Sequence, residues 1–271
     1  MHVRMAGTQA GGRPPLVCFH LSPMSGRVYE RFIGAMSANR LAIAIDTPGF
    51  GMSDAPPVRP SIADYSRAMR AAVAALGIQT PIDLMGYHTG SMIAADLAAE
   101  HQALVRRLIL VSAPIFTEAE REQLRQRYAP LTPSLDGSHL VKRWTGYVHH
   151  YLGRGLMIED LADMFPDGLL GRNLAWWGHN AAFAFTSNMR LPELRQPILV
   201  LNPGDDLQQE SRRATALLRN GRLVELPSWG HGFLDGFTAD AARLASGFLD
   251  SPDADPFAGV VIPSSALDSE R

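Results

Sequence analysis

Ile82-Asp83-Leu84-Met85-Gly86-Tyr87-His88-Thr89-Gly90-Ser91-Met92-Ile93-Ala94-Ala95 is the stretch whose reading decides the fold. It opens after Pro81 as a short apolar run, the signature of a buried strand, and closes as an alanine-rich run with helical spacing. Between the two lies Gly86-x-His88-x-Gly90, which leaves one residue at the apex of a very tight strand-to-helix turn. Glycines on either side of that apex remove the Cβ atoms that would collide where strand and helix pack most closely.

Working outward, the alternation continues in both directions. Leu16-Val17-Cys18-Phe19 reads as a buried strand, 28–38 has helical spacing, and 41–45 is the next apolar run. Ser61 reads as the N-cap of a helix that runs to about Leu76. A further strand spans 105–111. Continuous apolar strands separated by helices imply a mostly parallel sheet covered on both faces. Residues 115–190 break the rhythm with helical stretches at 118–127, 140–151, 160–164 and 174–185, rich in aromatic residues. That is too long for a loop and short for an ordinary domain, so it reads as a helical cap inserted over the sheet. Strands at 198–201 and 222–226 then alternate with helices at 209–218 and 239–249. The expected organisation is one core domain from 1–114 and 191–250, a cap at 115–190, and a tail at 251–271. The tail is either disordered or laid across the body or a second subunit.

The totals exclude several classes. With 271 residues, 46% hydrophobic, 19% charged and a formal net charge of −2, the composition carries no nucleic-acid footprint and no sign of a strongly charged substrate. The single cysteine, Cys18, excludes an internal disulfide and reads as a small buried hydrophobe. Neither a signal-peptide core nor a run near the ~18–20 apolar residues of a membrane span occurs. The expectation is therefore a cytoplasmic protein, monomer or homodimer, with a small-molecule substrate and no nucleic-acid or membrane partner.

Taken together, Phe19-His20 with its following loop, Asp46-x-Pro48-Gly49-x-Gly51-x-Ser53, the Gly86–Gly90 turn, Pro203-Gly204-Asp205-Asp206 and Trp229-Gly230-His231-Gly232-Phe233 resemble the α/β-hydrolase family over residues 14–250. The resemblance implies an α/β-hydrolase fold, with the turn as the nucleophile elbow. It also implies His231 as general base, an acid in the loop after the strand at 198–201 (none occurs at the end of the sixth strand, Val111-Ser112-Ala113, where some members keep it), and an oxyanion hole of two backbone N–H groups. Asp206 is preferred over its neighbour Asp205 as the acid holding His231 Nδ1. The oxyanion donors map to Thr89 and Ser22, because Pro23 has no N–H to give. Two departures stand out: the familiar His-Gly pair is His20-Leu21, and the apex serine is His88.

A neutral imidazole attacks through a lone pair without prior deprotonation, and its reference pKa of about 6.5 leaves it mostly neutral at pH 7. His88 is thus expected to act as nucleophile or as base, in an atypical triad with Asp206 and His231. Imidazole leaves a tetrahedral intermediate more readily than an alkoxide does, so aryl esters and thioesters are favoured over alkyl esters. The aromatic cap implies a small, apolar acyl or ring substrate in a pocket near Leu21, Tyr87, Trp144, Trp177 and His179. Two other classes stay open on this fold: a cofactor-free lyase or oxygenase, and an inert small-molecule binder in which His88 fills the serine's space.

The remaining candidates read as structural. Ser91 lies on the first turn of the helix, His20 ends a strand, and adjacent His149 and His150 point about 100° apart. Gly49-x-Gly51 lacks a third glycine and a helix start, so no dinucleotide site is implied. No metal-ligand spacing appears, and no cofactor is expected.

Overall fold

Four of the strands, β2 (Leu16–Phe19), β3 (Ala42–Ile45), β4 (Ile82–Tyr87) and β6 (Ile198–Pro203), are buried at every residue. Strands without a solvent face need a covering layer on each side, and the helices supply it. With β1 (Val3–Ala6), β5 (Val105–Val111) and β7 (Gly221–Leu226) they form one seven-stranded sheet in the order β1-β3-β2-β4-β5-β6-β7. Only β1 runs antiparallel, pairing Val3 with Ile45. The computed structural model describes residues 1–9 and 12–267.

Successive side chains of each strand enter opposite layers, as the pleat requires. Val17, Phe19, Ile43, Leu84 and Leu108 face a core shared with α2 (Ile62–Ala75) and α3 (Thr89–Glu100) once α1 (Glu30–Met36) has crossed to the other side. Leu16, Cys18, Ala44, Met85 and Ile109 face the core containing Phe32 of α1. Cys18 is fully buried and free, the small hydrophobe expected. Ser61 caps α2 in a reciprocal box with Asp64.

Between β5 and β6 every regular element is helical: α4 (Glu118–Arg127), α5 (Ser138–Tyr151), α6 (Ile158–Met164), α7 (Trp176–Ala184) and short 3-10 turns. These inserted helices are tied to the loop after β2. Asp167 accepts from the Ser25 backbone N–H at 2.8 Å and from its hydroxyl at 2.5 Å, all three groups being buried. After β6 the chain forms α8 (Gln208–Arg212), then β7, α9 (Phe233–Gly236) and α10 (Thr238–Leu249). The helix expected at 209–218 is shorter, continuing as a 3-10 turn over Arg213–Leu217.

Of the two alternatives for the tail, its described part lies across the body. Phe257 stacks on Phe248 of α10, and Ala266 is buried and accepts from the Ser228 N–H at 3.1 Å. Residues 268–271 lie outside the described residues. No helix is long and apolar enough to cross a membrane, among the described residues.

One feature sits at the opposite end of the sheet from the turn. Asp83, in the middle of what reads as an apolar strand, is fully buried. It accepts from Arg40 at 3.1 Å and from Arg106 at 3.0 and 2.7 Å. Arg40 also pairs with Asp250, just beyond α10. The strand's one carboxylate thus fastens β4, β5 and the end of α10 together.

Candidate active site

The turn between β4 and α3 is as tight as the glycines imply. A Cβ on Gly86 would stand 2.3 Å from the Gly90 carbonyl oxygen, and one on Gly90 would stand 2.0 Å from that of Phe19. Real side chains do not tolerate such approaches, so both positions exclude everything but glycine. His88 at the apex takes φ 49° and ψ −110°, a sparsely populated conformation for a residue with a Cβ. Its N–H donates to the Val111 carbonyl at 3.0 Å, which holds the turn against β5.

His88 Nε2 lies 2.9 Å from Asp205 Oδ2. The Asp205 side chain is fully buried; its Oδ2 also accepts from the Ser112 hydroxyl at 2.5 Å and its Oδ1 from the Leu207 N–H at 2.9 Å. Burial works to raise this carboxyl's pKa, but the His88 imidazole, with His231 and the Ser112 hydroxyl, outweighs it and holds the group below the usual range. An ionised carboxylate can only accept. A hydrogen of His88 therefore sits on Nε2, so that in the neutral ring the lone pair is on Nδ1.

His231 meets the other acid. Its Nε2 is 3.1 Å from Asp206 Oδ1, and its carbonyl accepts from the Tyr87 hydroxyl at 2.8 Å. Burial works to lower the His231 pKa, but the Asp206 hydrogen bond and the charges of Asp205 and Asp206 outweigh it and raise it. Asp206 is correspondingly held low: desolvation opposes ionisation, and His231 overcomes it. The two imidazoles meet edge to face, centroids 5.2 Å apart, and His150 of α5 stands 5.0 Å from His231 on its other side.

The chain thus brings His88, Asp206 and His231 into one cluster, in an arrangement that differs from the expected triad in two respects. Asp205, set aside as the neighbour, is the acid that orients the apex residue. Asp206 approaches His231 through Nε2 and not Nδ1. Of the two adjacent acids on this loop, Asp205 makes its short contact with His88 and Asp206 with His231, so each imidazole has its own carboxylate. Ser112, Asp205 and His150 are the residues that sequence reasoning missed; Ser112 ends a strand with φ 51°, which nothing in its neighbours announces.

A cavity of about 600 Å³ opens over this pair of dyads. Leu21, Ser22, Thr89 and His179 line it, together with His88, Asp206 and His231. Thr89 is the first residue of α3, so its N–H has no helical acceptor; neither it nor the Ser22 N–H donates to another group among the described residues. Three of the expected pocket residues lie elsewhere. Tyr87 is buried beneath His88, Trp144 packs on Tyr147 and Phe165, and the cavity wall carries Trp176 in place of Trp177. His179 stacks on Tyr128 at 4.3 Å, and burial, with the charge of His88, pushes its pKa down to about 4. His20 is structural: it accepts from the Thr47 N–H at 2.9 Å and turns Nδ1 to the Leu21 carbonyl.

Two overlapping sets, His88–Asp205–His231 and His150–Asp206–His231, have ligand-type atoms within 4.8 Å of one another. Two imidazoles and a carboxylate are donors that suit zinc. Their absence from any spacing in the chain is natural, since the residues come from four separate loops and helices.

Two outcomes test this geometry. A Cβ at Gly178 of α7 would stand 1.9 Å from the Ser22 hydroxyl. Gly178→Ala should therefore cost about 1–3 kcal/mol in urea unfolding through overpacking; an unchanged midpoint would show that α7 does not seat on this loop. The second concerns pH. A histidine whose folded pKa is raised contributes stability that is present below its unfolded pKa of about 6.5 and lost as pH rises through the folded value. The unfolding midpoint should fall on that upward path, and Asp206→Asn should flatten the fall. A slope identical in the variant would mean that Asp206 does not raise His231.

A family model described as the alpha/beta hydrolase fold matches residues 14–143. The pimeloyl-[acyl-carrier protein] methyl ester esterase of Neisseria meningitidis serogroup A is 27% identical over 251 residues, 86% of this chain and 77% of that protein. Among solved structures, the enol-lactonase from Burkholderia xenovorans LB400 superposes with a TM-score of 0.77 at 18% identity, covering 92% of this chain and 96% of that one. The bromoperoxidase from Bacillus anthracis gives 0.74 at 15% identity, covering 92% and 95%. The fold is the α/β-hydrolase fold.

Proposed function

We propose that the protein hydrolyses carboxylic esters, activated aryl esters or thioesters above simple alkyl esters, with His88 as nucleophile or base. The observation that carries this reading is the 2.9 Å contact between His88 Nε2 and the buried Asp205 carboxylate. It fixes the tautomer in which Nδ1 keeps a lone pair, the function that an orienting acid performs for a catalytic histidine. An imidazole that merely filled a serine's space would not need a buried acid of its own.

In the nucleophilic course, Nδ1 attacks the ester carbonyl carbon and Asp205 balances the positive charge that forms on the ring. The carbonyl oxygen becomes an oxyanion, which the free N–H groups of Thr89 and Ser22 are disposed to receive. As the intermediate collapses, the C–O or C–S bond breaks and the leaving group takes a proton from His231, whose imidazolium Asp206 stabilises. Water then gives a proton to the now neutral His231 as its oxygen attacks the acyl-imidazole, releasing the carboxylic acid and restoring both histidines. In the alternative course Nδ1 takes a proton from water, which attacks directly. The esterase named among the relatives acts on the same class of bond, a carboxylic ester, which supports the reading.

Mass spectrometry after mixing with a slowly turned-over nitrophenyl ester tests it. An acyl mass on the peptide containing His88 identifies a nucleophile, and turnover without an adduct identifies a base. No turnover of aryl esters or thioesters would refute the hydrolytic reading.

A further inference from the structure

The charged residues of the large cavity are one-sided. Arg127, Lys142, Arg143 and Arg172 line it, against the single acid Asp206 on its floor, already engaged by His231. Among the described residues none of the four makes a hydrogen bond or ion pair through its side chain. Elsewhere the chain pairs its arginines readily: on the same α4 that carries Arg127, both Arg121 and Arg125 reach Glu118. Arg143 is the inner cation of the four, half-buried where the others are exposed.

We propose that Arg143 is an anion-binding subsite, and that the substrate is an acyl ester or thioester carrying a second, anionic group at the far end of an apolar chain. The ester half of that statement rests on the hydrolytic reading above; the anion site does not. A guanidinium drawn partly out of water with no partner is an uncompensated cost, which a bound carboxylate or phosphate would relieve through paired hydrogen bonds. Burial alone pushes the Arg143 pKa down, as expected of a cation still lacking its counter-charge.

Its position defines the spacing. Arg143, Gly146, Tyr147 and His150 recur along one face of α5, and all four line the cavity. Arg143 stands two helical turns, roughly 10 Å along the axis, before His150, which touches His231. A medium-length apolar chain bridges that distance, past Tyr147 and Phe165. Overall charge hides this preference, because the net −2 is a sum over the whole chain while the cavity lining carries four cations and one acid.

The test compares nitrophenyl hydrogen octanedioate, which ends in a carboxylate, with nitrophenyl octanoate, of equal length and no charge. The wild type should favour the first in kcat/KM by at least ~10-fold, less so at high salt, where exposed charges are screened. In Arg143→Gln the ratio should collapse towards one, and Arg143→Lys should restore part of it. A wild-type ratio of one or less, or a ratio that Arg143→Gln leaves alone, overturns the proposal. If neither ester is turned over, the hydrolytic reading falls, and calorimetry with octanedioate and octyl phosphate decides the subsite by itself. Binding that Arg143→Gln abolishes upholds it, and the ligand bound identifies carboxylate or phosphate as the source; no binding of either overturns it.

Discussion

His88→Ala should lower kcat/KM for nitrophenyl esters by at least ~100-fold, the scale of a positioned catalytic group. The variant removes the only lone pair that Asp205 orients in the cavity, while leaving the N–H groups of Thr89 and Ser22 in place. Because alanine at the apex carries the same Cβ as histidine, the positive φ costs both residues alike; the buried Asp205 carboxylate keeps the Ser112 hydroxyl and the Leu207 N–H but loses His88, so urea unfolding should register a loss of about 1–3 kcal/mol. Asp205→Asn, which keeps the shape but not the charge, should lose less activity than His88→Ala, since Nδ1 is still present. Equal, slow rates for the wild type and His88→Ala would remove His88 from the mechanism.

Asp83→Ala should destabilise the protein by about 3–5 kcal/mol, the usual result of stripping one partner from a buried ionic cluster. Arg40 is fully buried and Arg106 mostly so, and each donates to Asp83. The variant leaves Arg40 with only the partly exposed Asp250. Chemical denaturation measures the loss. A change under 1 kcal/mol would mean that water or Asp250 replaces the carboxylate. Activity per folded molecule should be unchanged, because the cluster lies at the far end of β4 from His88.

The contrast between these two sites explains what the sequence could and could not convey. Gly86 and Gly90 stand two residues before and after His88, between an apolar strand and a helical run, so the elbow and the sheet around it were legible. Ser61 as the N-cap of α2 was likewise readable, because a cap bonds within its own first turn. His231 was found through its glycine-flanked loop. By contrast, Asp205 and Asp206 are adjacent on one loop, and only the placement of Ser112, Leu207 and both imidazoles decides which acid faces which ring. Trp176 and Trp177 pose the same problem on a helix: neighbours diverge by about 100°, and composition cannot say which one faces the cavity. Asp83 was passed over because its partners, Arg40 and Arg106, lie in other elements. Arg143 was invisible for a different reason: its significance is the absence of an acid nearby, which no linear pattern records.

The close approaches at the elbow belong to Gly86 and Gly90, and not to the residue between them. The turn is therefore a socket that presents whatever side chain occupies position 88 at the same spot above the sheet. A substitution there exchanges the reagent and spares the holder, a short evolutionary step between one chemistry and another. Asp205 has no such freedom, since Ser112 and the Leu207 N–H grip it as firmly as His88 does. Within one site, the apex side chain can be exchanged without rebuilding the turn, whereas the acid behind it is fixed by contacts to two other parts of the chain.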